Sequence, residues 1–336
     1  MDVAVKTAGP EIGGVRTSGT PPVASVKTVK TTRGGNLGDL IFKNVTLLFA
    51  VLVFSLVFLM GYEMYKGSLP SIQKFGLSFL TGTTWDPVRD EYGAWPYIFG
   101  TLVSSAVALI IAVPLSVGVA VFLSELAPAW LEKAMSYLVE LLAAIPSIVY
   151  GLWGVFVLVP WIRKSVEPLL AKTLGFLPLF MGPPYGFGML AAGVILAIMV
   201  IPIITSISRD VLKAIPNLQR EAALALGATR WEKTRIVLAS ARSGIFGASL
   251  LGFGRAVGET MAVTMVIGNR PEVSGSLFAP GHSVASVIAN EFSEATSEMY
   301  LSALIEIALV LFVVTMILNV LARLIVWSVT RNFSAA

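Results

Sequence analysis

Between Ser243 and Ile267 the sequence is apolar except for two charges, Arg255 and Glu259. If this run crosses a bilayer, an arginine near its centre costs about 2.5–3.5 kcal/mol on insertion scales, so its presence points to a pathway or to an internal partner. A guanidinium keeps its charge and grips an oxyanion through two parallel hydrogen bonds. Glu259 lies four residues on, which places it on the same face as Arg255 if the helix is continuous. Two roles are open to it. It can hold the arginine in an internal ion pair, or accept a hydrogen bond from a protonated phosphate, which a fully deprotonated sulfate cannot donate. Thr260 and Thr264 carry hydroxyls that can meet an anion or bond back to their own helix. Gly244, Gly247, Gly252, Gly254 and Gly258 leave room for close helix packing, with Gly254 and Gly258 in the small-x-x-x-small spacing.

A second constellation lies upstream. Glu221-Ala222-Ala223 is followed, after three residues, by Gly227-Ala228. Pro216 suits the first turn of a short helix, where its missing N–H would be unpaired anyway, and Gly227 suits its end. Thr229 with Glu232 forms a capping box that opens a second short helix. Two short helices meeting at a glycine corner, with an alanine-rich face, fit a docking surface for another protein. They fit equally a hairpin lying on the membrane with its basic residues near anionic lipid.

Other chemistry is excluded by composition. The chain has no cysteine, so disulfides, thiolate metal sites and cysteine nucleophiles are out. Its single histidine, His282, is expected in solvent. Neither a metal-ligand set nor a nucleophile–base pair stands out, so no catalytic and no metal residue is assigned. No G-x-x-x-x-G-K-[ST] loop occurs, so the chain has no nucleotide cofactor of its own. Lysine and arginine form no single stripe, and nucleic acid is not an expected partner. Glu140 and Glu306 are expected near span ends, in contact with water.

These residues need a scaffold that holds them in lipid. The 336 residues are 56% hydrophobic and 13% charged, with a mean hydropathy of +0.82, whereas soluble domains carry about 25% charge. Six segments are long and apolar enough to cross a membrane: Asn44–Tyr62, Tyr97–Leu123, Tyr137–Trp161, Phe187–Ser206, Ser243–Ile267 and Tyr300–Val320. The fold class is therefore an all-α integral membrane protein with six transmembrane helices. Roughly forty mostly polar residues precede the first span, which is not expected to be a cleaved signal. Of 24 lysines and arginines, sixteen lie on the side of the two termini and of the connections after the second and fourth spans, and seven lie opposite. That bias places both termini in the cytoplasm. Residues 1–40, rich in Gly, Pro, Ser and Thr, read as a disordered cytoplasmic tail, and 41–336 as the transmembrane domain with a cytoplasmic loop at 208–242. Pro114, Pro146 and Pro202 fall inside spans two, three and four, where kinks are tolerated if neighbours satisfy the freed carbonyls. Phe75, Phe79, Trp85, Tyr92 and Trp95, in the external segment 69–96, are expected at the membrane interface, with docking of an external partner as the lesser alternative. No internal repeat is found.

Glu221-Ala222-Ala223…Gly227 resembles the signature loop of ABC importer permeases, although the Leu-Pro that usually closes that motif is Ala239-Ser240 here. Gly254-Arg255-Ala256-Val257-Gly258-Glu259-Thr260-Met261-Ala262-Val263 is similar to the fifth-span signature of phosphate-importer permeases. Phe79-Leu80-Thr81-Gly82…Trp85-Asp86-Pro87, Tyr92-Gly93-Ala94-Trp95-Pro96 and Ile145-Pro146-Ser147-Ile148-Val149-Tyr150-Gly151 resemble the PstC-type subunit rather than its PstA-type sister. The resemblance covers about residues 40–330 and implies a type I ABC importer (MetI-like) permease fold. It further implies that Glu221, Ala222, Ala223, Gly227 and Ala228 seat against a separate PstB-type ATPase dimer, which binds ATP and Mg. Arg255, Glu259 and Thr260 would line the path of inorganic phosphate. The other implied partners are a PstA-type permease, a PstS-type extracytoplasmic phosphate-binding protein and the lipid of a bacterial inner membrane. A permease for sulfate, molybdate or phosphonate is the nearest rival, and the spacing of Arg255 and Glu259 argues against it. An ion-coupled secondary transporter needs no ATPase socket and often shows inverted repeats, which are not found here.

Overall fold

The computed structural model describes residues 37–331, which are helical apart from one short hairpin and the connecting loops. The expected tail lies outside the described residues except for 37–40, which already belong to the first helix, α1 (Leu37–Phe75). The chain divides into two units at Leu59–Met60. The described part of the first unit is the stretch 37–59 of α1, exposed throughout and largely apolar from Val45 on, as suits a helix whose solvent is lipid.

In the second unit, α2 (Ser78–Thr81) and a hairpin of β1 (Trp85–Asp86) and β2 (Glu91–Tyr92) lead into α3 (Trp95–Val121), which continues as a π turn, Phe122–Leu126. Next come α4 (Ala129–Ala143), α5 (Ser147–Trp153), α6 (Val159–Trp161) and α7 (Glu167–Leu174), the last three joined by π turns into the stretch Ser147–Leu174. Then follow α8 (Met189–Ala214), α9 (Asn217–Ala225), α10 (Arg230–Val257), α11 (Met261–Val266), α12 (Val284–Glu291) and α13 (Glu298–Arg331). Among the described residues five helices are long and apolar enough to span a membrane, and six if Ala129–Ala143 and Ser147–Leu174, bent by 90°, form one broken span. The expected continuous third span, Tyr137–Trp161, is thus replaced by a break. Pro146 cannot donate to the helical ladder and disfavours helix in the residue before it, so α4 stops at Ala143 and Pro146 becomes the cap of α5. Pro114 and Pro202 remain inside α3 and α8.

The core forms around α8, which is 67% buried across its apolar window and packs against α3 and α10. Glycines set these distances. A Cβ on Gly193 would meet Val107 at 2.4 Å, one on Gly244 would meet Val211 at 2.4 Å, and one on Gly252 would meet Ile204 at 2.7 Å. In lipid, such close approach is a main source of helix association. Gly247 and Gly254 have nothing within 4 Å, and Gly258 meets only the carbonyl of Gly254. Among the described residues, then, no other helix closes on Gly254 or Gly258 within reach of a Cβ, and Gly254 borders a small hollow with Thr315, Leu318 and Asn319 of α13.

Of the aromatics expected at the membrane interface, Phe79 and Tyr92 are buried instead and Phe75 and Trp85 pack against them, while Trp95 is 41% exposed. Phe79, Tyr92 and Tyr97 are buried in a small core with Val284, Val287 and Tyr300. Tyr92 stacks on Tyr300 at 5.7 Å, and the Trp85 indole and Tyr300 hydroxyl both donate to Glu291 Oε2 at 2.7 Å. One carboxylate accepting from both rings fixes the hairpin to α12 and α13, and this folded cap accounts for the spacing of the aromatic motifs.

Candidate functional site

Arg255 occupies the last turn of α10, and it is exposed in the isolated chain. Among the described residues its guanidinium makes no hydrogen bond and no ion pair; Tyr150, on α5, is near enough to feel its charge. The expected ion pair with Glu259 is absent because the helix does not continue. α10 ends at Val257, Gly258 caps it, and α11 begins at Met261. Glu259 turns forward, where its Oε1 meets the backbone N–H of Ala262 at 3.5 Å. Thr264 donates to the carbonyl of Thr260 at 2.7 Å, while the Thr260 hydroxyl makes only a long 3.5 Å contact with the carbonyl of Gly258.

The two broken helices meet. α5 packs on α11, and a Cβ on Gly151 would stand 3.2 Å from the Cα of Ala262 and 2.6 Å from the sulfur of Met265. The Tyr150 hydroxyl donates to the carbonyl of Leu142 at 2.8 Å, which ties α5 back across its own break to α4. Irregular backbone at membrane depth is tolerated where it lines a cavity or is buried in protein, and half-helix ends beside such breaks are common ion and substrate sites. The site thus gathers Arg255, Glu259 and Thr260 at one break, with the other break alongside. Sequence reasoning found the charges; the breaks lie within apolar runs that hydropathy reads as continuous.

The upstream corner forms from local chemistry. Pro216 is the cap of α9, one position before the first turn. At its end the Gly227 N–H donates to the Leu224 carbonyl at 3.0 Å and the Ala228 N–H to the Ala223 carbonyl at 3.1 Å, the paired bonds of a Schellman turn. Gly227 stands at φ +83°, which glycine adopts without strain. Thr229 and Glu232 form the reciprocal capping box. The helix that follows is not short. It runs unbroken into the fifth span, because nothing from Arg230 to Val257 breaks it and Gly244 is held by packing on Val211. Only 215–229 of the expected loop lies outside long helices. Ala223 is buried, but Glu221, Ala222 and Gly227 are exposed, Ala228 is half-buried, and Leu218, Leu226 and Trp231 are 75%, 90% and 74% exposed. A hollow of about 450 Å³ lies beside the corner, lined by Leu226, Gly227, Ala228, Glu232, Arg235 and Ile236. Apolar side chains so presented around a polar helix suit protein docking.

Other titratable groups correct the sequence reading. His282 is 2% exposed rather than solvated; burial pushes its imidazole down to about 4, so it is neutral, and its ring meets that of Tyr97 edge-on at 5.2 Å. Glu306 is 5% exposed, not wet. Glu140 is on the surface, 3.6 Å from Arg209. A cluster the sequence did not reveal joins Glu125, Arg220 and Lys233, whose partners lie about a hundred residues apart along the chain.

Comparison with known proteins places this arrangement. Residues 112–331 match the family described as binding-protein-dependent transport system inner membrane component. The chain is 49% identical over 291 residues to the phosphate transport system permease protein PstC of Haemophilus influenzae, covering 85% of this chain and 92% of that one. It is 46% identical over 298 residues to the PstC of Mesorhizobium japonicum, covering 87% and 91%. Among solved structures, a bacterial ABC transporter involved in the import of the acidic polysaccharide alginate aligns with TM-score 0.55 at 17% identity, over 84% of this chain and 98% of that one. That likeness concerns the fold.

Proposed function

The chain belongs to the family of binding-protein-dependent transport system inner membrane components, and we propose that it is the PstC-type permease subunit of an ATP-driven phosphate importer. It is a multi-pass membrane protein with the type I ABC importer permease fold, a non-catalytic subunit of a larger complex. The observation that carries the substrate assignment is the Arg255 guanidinium beside a helix break, without a hydrogen bond or ion pair among the described residues, in a chain so similar to phosphate permeases. The finer partners are a PstA-type permease, a PstB-type ATPase dimer on the α9 corner, and a PstS-type binding protein outside. In this reading the membrane is a bacterial inner membrane and both termini are cytoplasmic. ATP closes the ATPase dimer, which draws the coupling helices together and turns the pathway outward. Arg255 then holds phosphate weakly enough to release it, as conduction requires.

The complex, purified with its neighbouring subunits and placed in lipid vesicles, is expected to hydrolyse ATP in response to phosphate-loaded binding protein and to accumulate phosphate but not sulfate. Accumulation of sulfate at an equal rate, or accumulation without ATP, would sink the assignment. Orientation is tested on the cysteine-free background. Ser25→Cys and Ser334→Cys should resist an impermeant thiol reagent in intact cells, while Thr83→Cys reacts. Labelling of either terminus from outside contradicts the topology.

The corner makes a sharper forecast. Gly227→Val places a β-branched residue at φ +83°, a strain of about 1–3 kcal/mol confined to the turn. Glu221→Lys reverses a charge on the exposed face of α9. Both variants should reach the membrane at normal levels, yet lose the ATPase on purification or hydrolyse ATP without transport. Parental transport in both would show that α9 is not the docking element.

A further inference from the structure

Glu125 lies in the π turn that ends α3, and its side chain is 2% exposed. Its Oε1 accepts hydrogen bonds from Nε and Nη2 of Arg220 at 3.1 and 3.0 Å. Its Oε2 meets Nζ of Lys233 at 2.7 Å. Arg220 belongs to α9 and Lys233 to the first turns of α10, so one carboxylate holds both arms of the Gly227 corner. The same guanidinium reaches a fourth element. Nη2 donates to the carbonyl of Leu212 at 2.8 Å, which also accepts from the Ile215 N–H, and Nη1 donates to that of Ile215 at 2.5 Å, so the guanidinium covers the end of α8. Nη1 also meets Oδ1 of Asn217 at 3.2 Å, at the first residue of α9.

The Schellman turn and capping box fix α9 against α10, but they do not reach α3. Pro216 and Gly227 mark the two turns that bound α9, and its outward face is exposed. Without a tie to α3, a push on α9 could be absorbed by α9 and the start of α10 shifting together. An exposed ion pair would resist such a shift little. This carboxylate is sealed from water, accepts from two cations at once, and leaves both unpaired if it is lost. We infer that Glu125 is a positioning residue for transport: through Arg220 and Lys233 it makes α9 move as one body with the ends of α3, α8 and α10 on that side. The inference rests on the reading of α9 as the ATPase docking helix. Glu125 itself touches neither substrate nor ATPase in this scheme. Its effect is on the phosphate moved per ATP hydrolysed.

The test uses the full complex in vesicles. Glu125→Gln keeps an acceptor for Arg220 but removes the charge that holds Lys233. It is expected to keep the ATPase bound and hydrolysing while phosphate moved per ATP falls roughly tenfold or more, and Glu125→Asp, which keeps the charge, should recover most of that ratio. A parental ratio in Glu125→Gln, loss of the ATPase from it, or equal loss in Glu125→Asp would each overturn the inference. A second measurement needs no change to the triad. Spin labels on Leu126→Cys, at the end of the π turn, and Gln219→Cys, on α9, should keep one separation in the nucleotide-free and ATP-trapped complexes, and a change between the two states overturns the inference even if Glu125→Gln fails to fold. Failure of the unaltered chain to bind any ATPase is a separate result, and it overturns the docking reading instead.

Discussion

Arg255→Gln is expected to abolish phosphate uptake with the ATPase still bound, and Arg255→Lys to lower uptake roughly 10- to 150-fold, because lysine keeps the charge but gives up one of two parallel charged hydrogen bonds worth about 1.5–3 kcal/mol each. Assembly should survive both changes, since among the described residues no hydrogen bond or ion pair of Arg255 is there to break. A bland role exists for this residue. It sits in the last turn of α10, where any cation is favoured by about 0.3–1 kcal/mol through the helix dipole. Lysine fills that role as well as arginine does. Uptake by vesicles carrying the Lys variant therefore separates the two accounts, and a parental rate would assign Arg255 to the helix end and not to the anion. The exposure of the residue in the isolated subunit makes the same point from the membrane side. Placed in lipid without a partner it would cost more than the dipole returns, so its energetics require an anion, water or another subunit against that face.

The sequence made some of this legible, and the boundary is physical. The α9 corner could be read because its determinants are local: Pro216, Gly227 and the Thr229–Glu232 pair each act within a few residues. The long apolar helices could be read because hydropathy averages over a window as long as a span. That averaging hides the breaks at 144–146 and 258–260, which lie among apolar neighbours and change the backbone without changing the mean. Prolines did not announce which of them would break a helix. Pro114 and Pro202 sit in helices packed tightly on one another, with Ser116 donating to the carbonyl of Ile201, while Pro146 lies where the chain turns by 90°. Side chains whose partners are distant could not be placed at all. Trp85 and Tyr92 looked like interface anchors until α12 and α13 supplied Glu291 and Tyr300, and Glu125 had no visible reason to be buried until α9 and α10 folded over it.

Glu259→Gln is expected to weaken discrimination between phosphate and sulfate by roughly 5- to 150-fold, the equivalent of about 1–3 kcal/mol for an acceptor left unmatched by the wrong ligand. The broken helix sharpens this expectation. On a continuous helix the carboxylate would have been occupied by Arg255; beyond the break its Oε1 makes only a 3.5 Å contact with the Ala262 N–H and it is only half-buried. Glutamine retains an oxygen for that N–H, so the first turn of α11 should persist. What changes is the group offered to a ligand, since an amide can turn its NH₂ toward sulfate where the carboxylate could only repel it. Competition of sulfate with phosphate uptake is the measurement. If Glu259 serves only to start α11, Gln should leave selectivity unchanged, and Glu259→Ala should loosen the first turn of α11 instead. The charge-swapped double variant, Arg255→Glu with Glu259→Arg, completes the argument. An internal ion pair would survive the exchange and restore transport. With Arg255 on α10 and Glu259 in the break, bonded forward to Ala262, the swap moves the guanidinium into the break, where it cannot meet an anion held at the end of α10, and transport should stay lost.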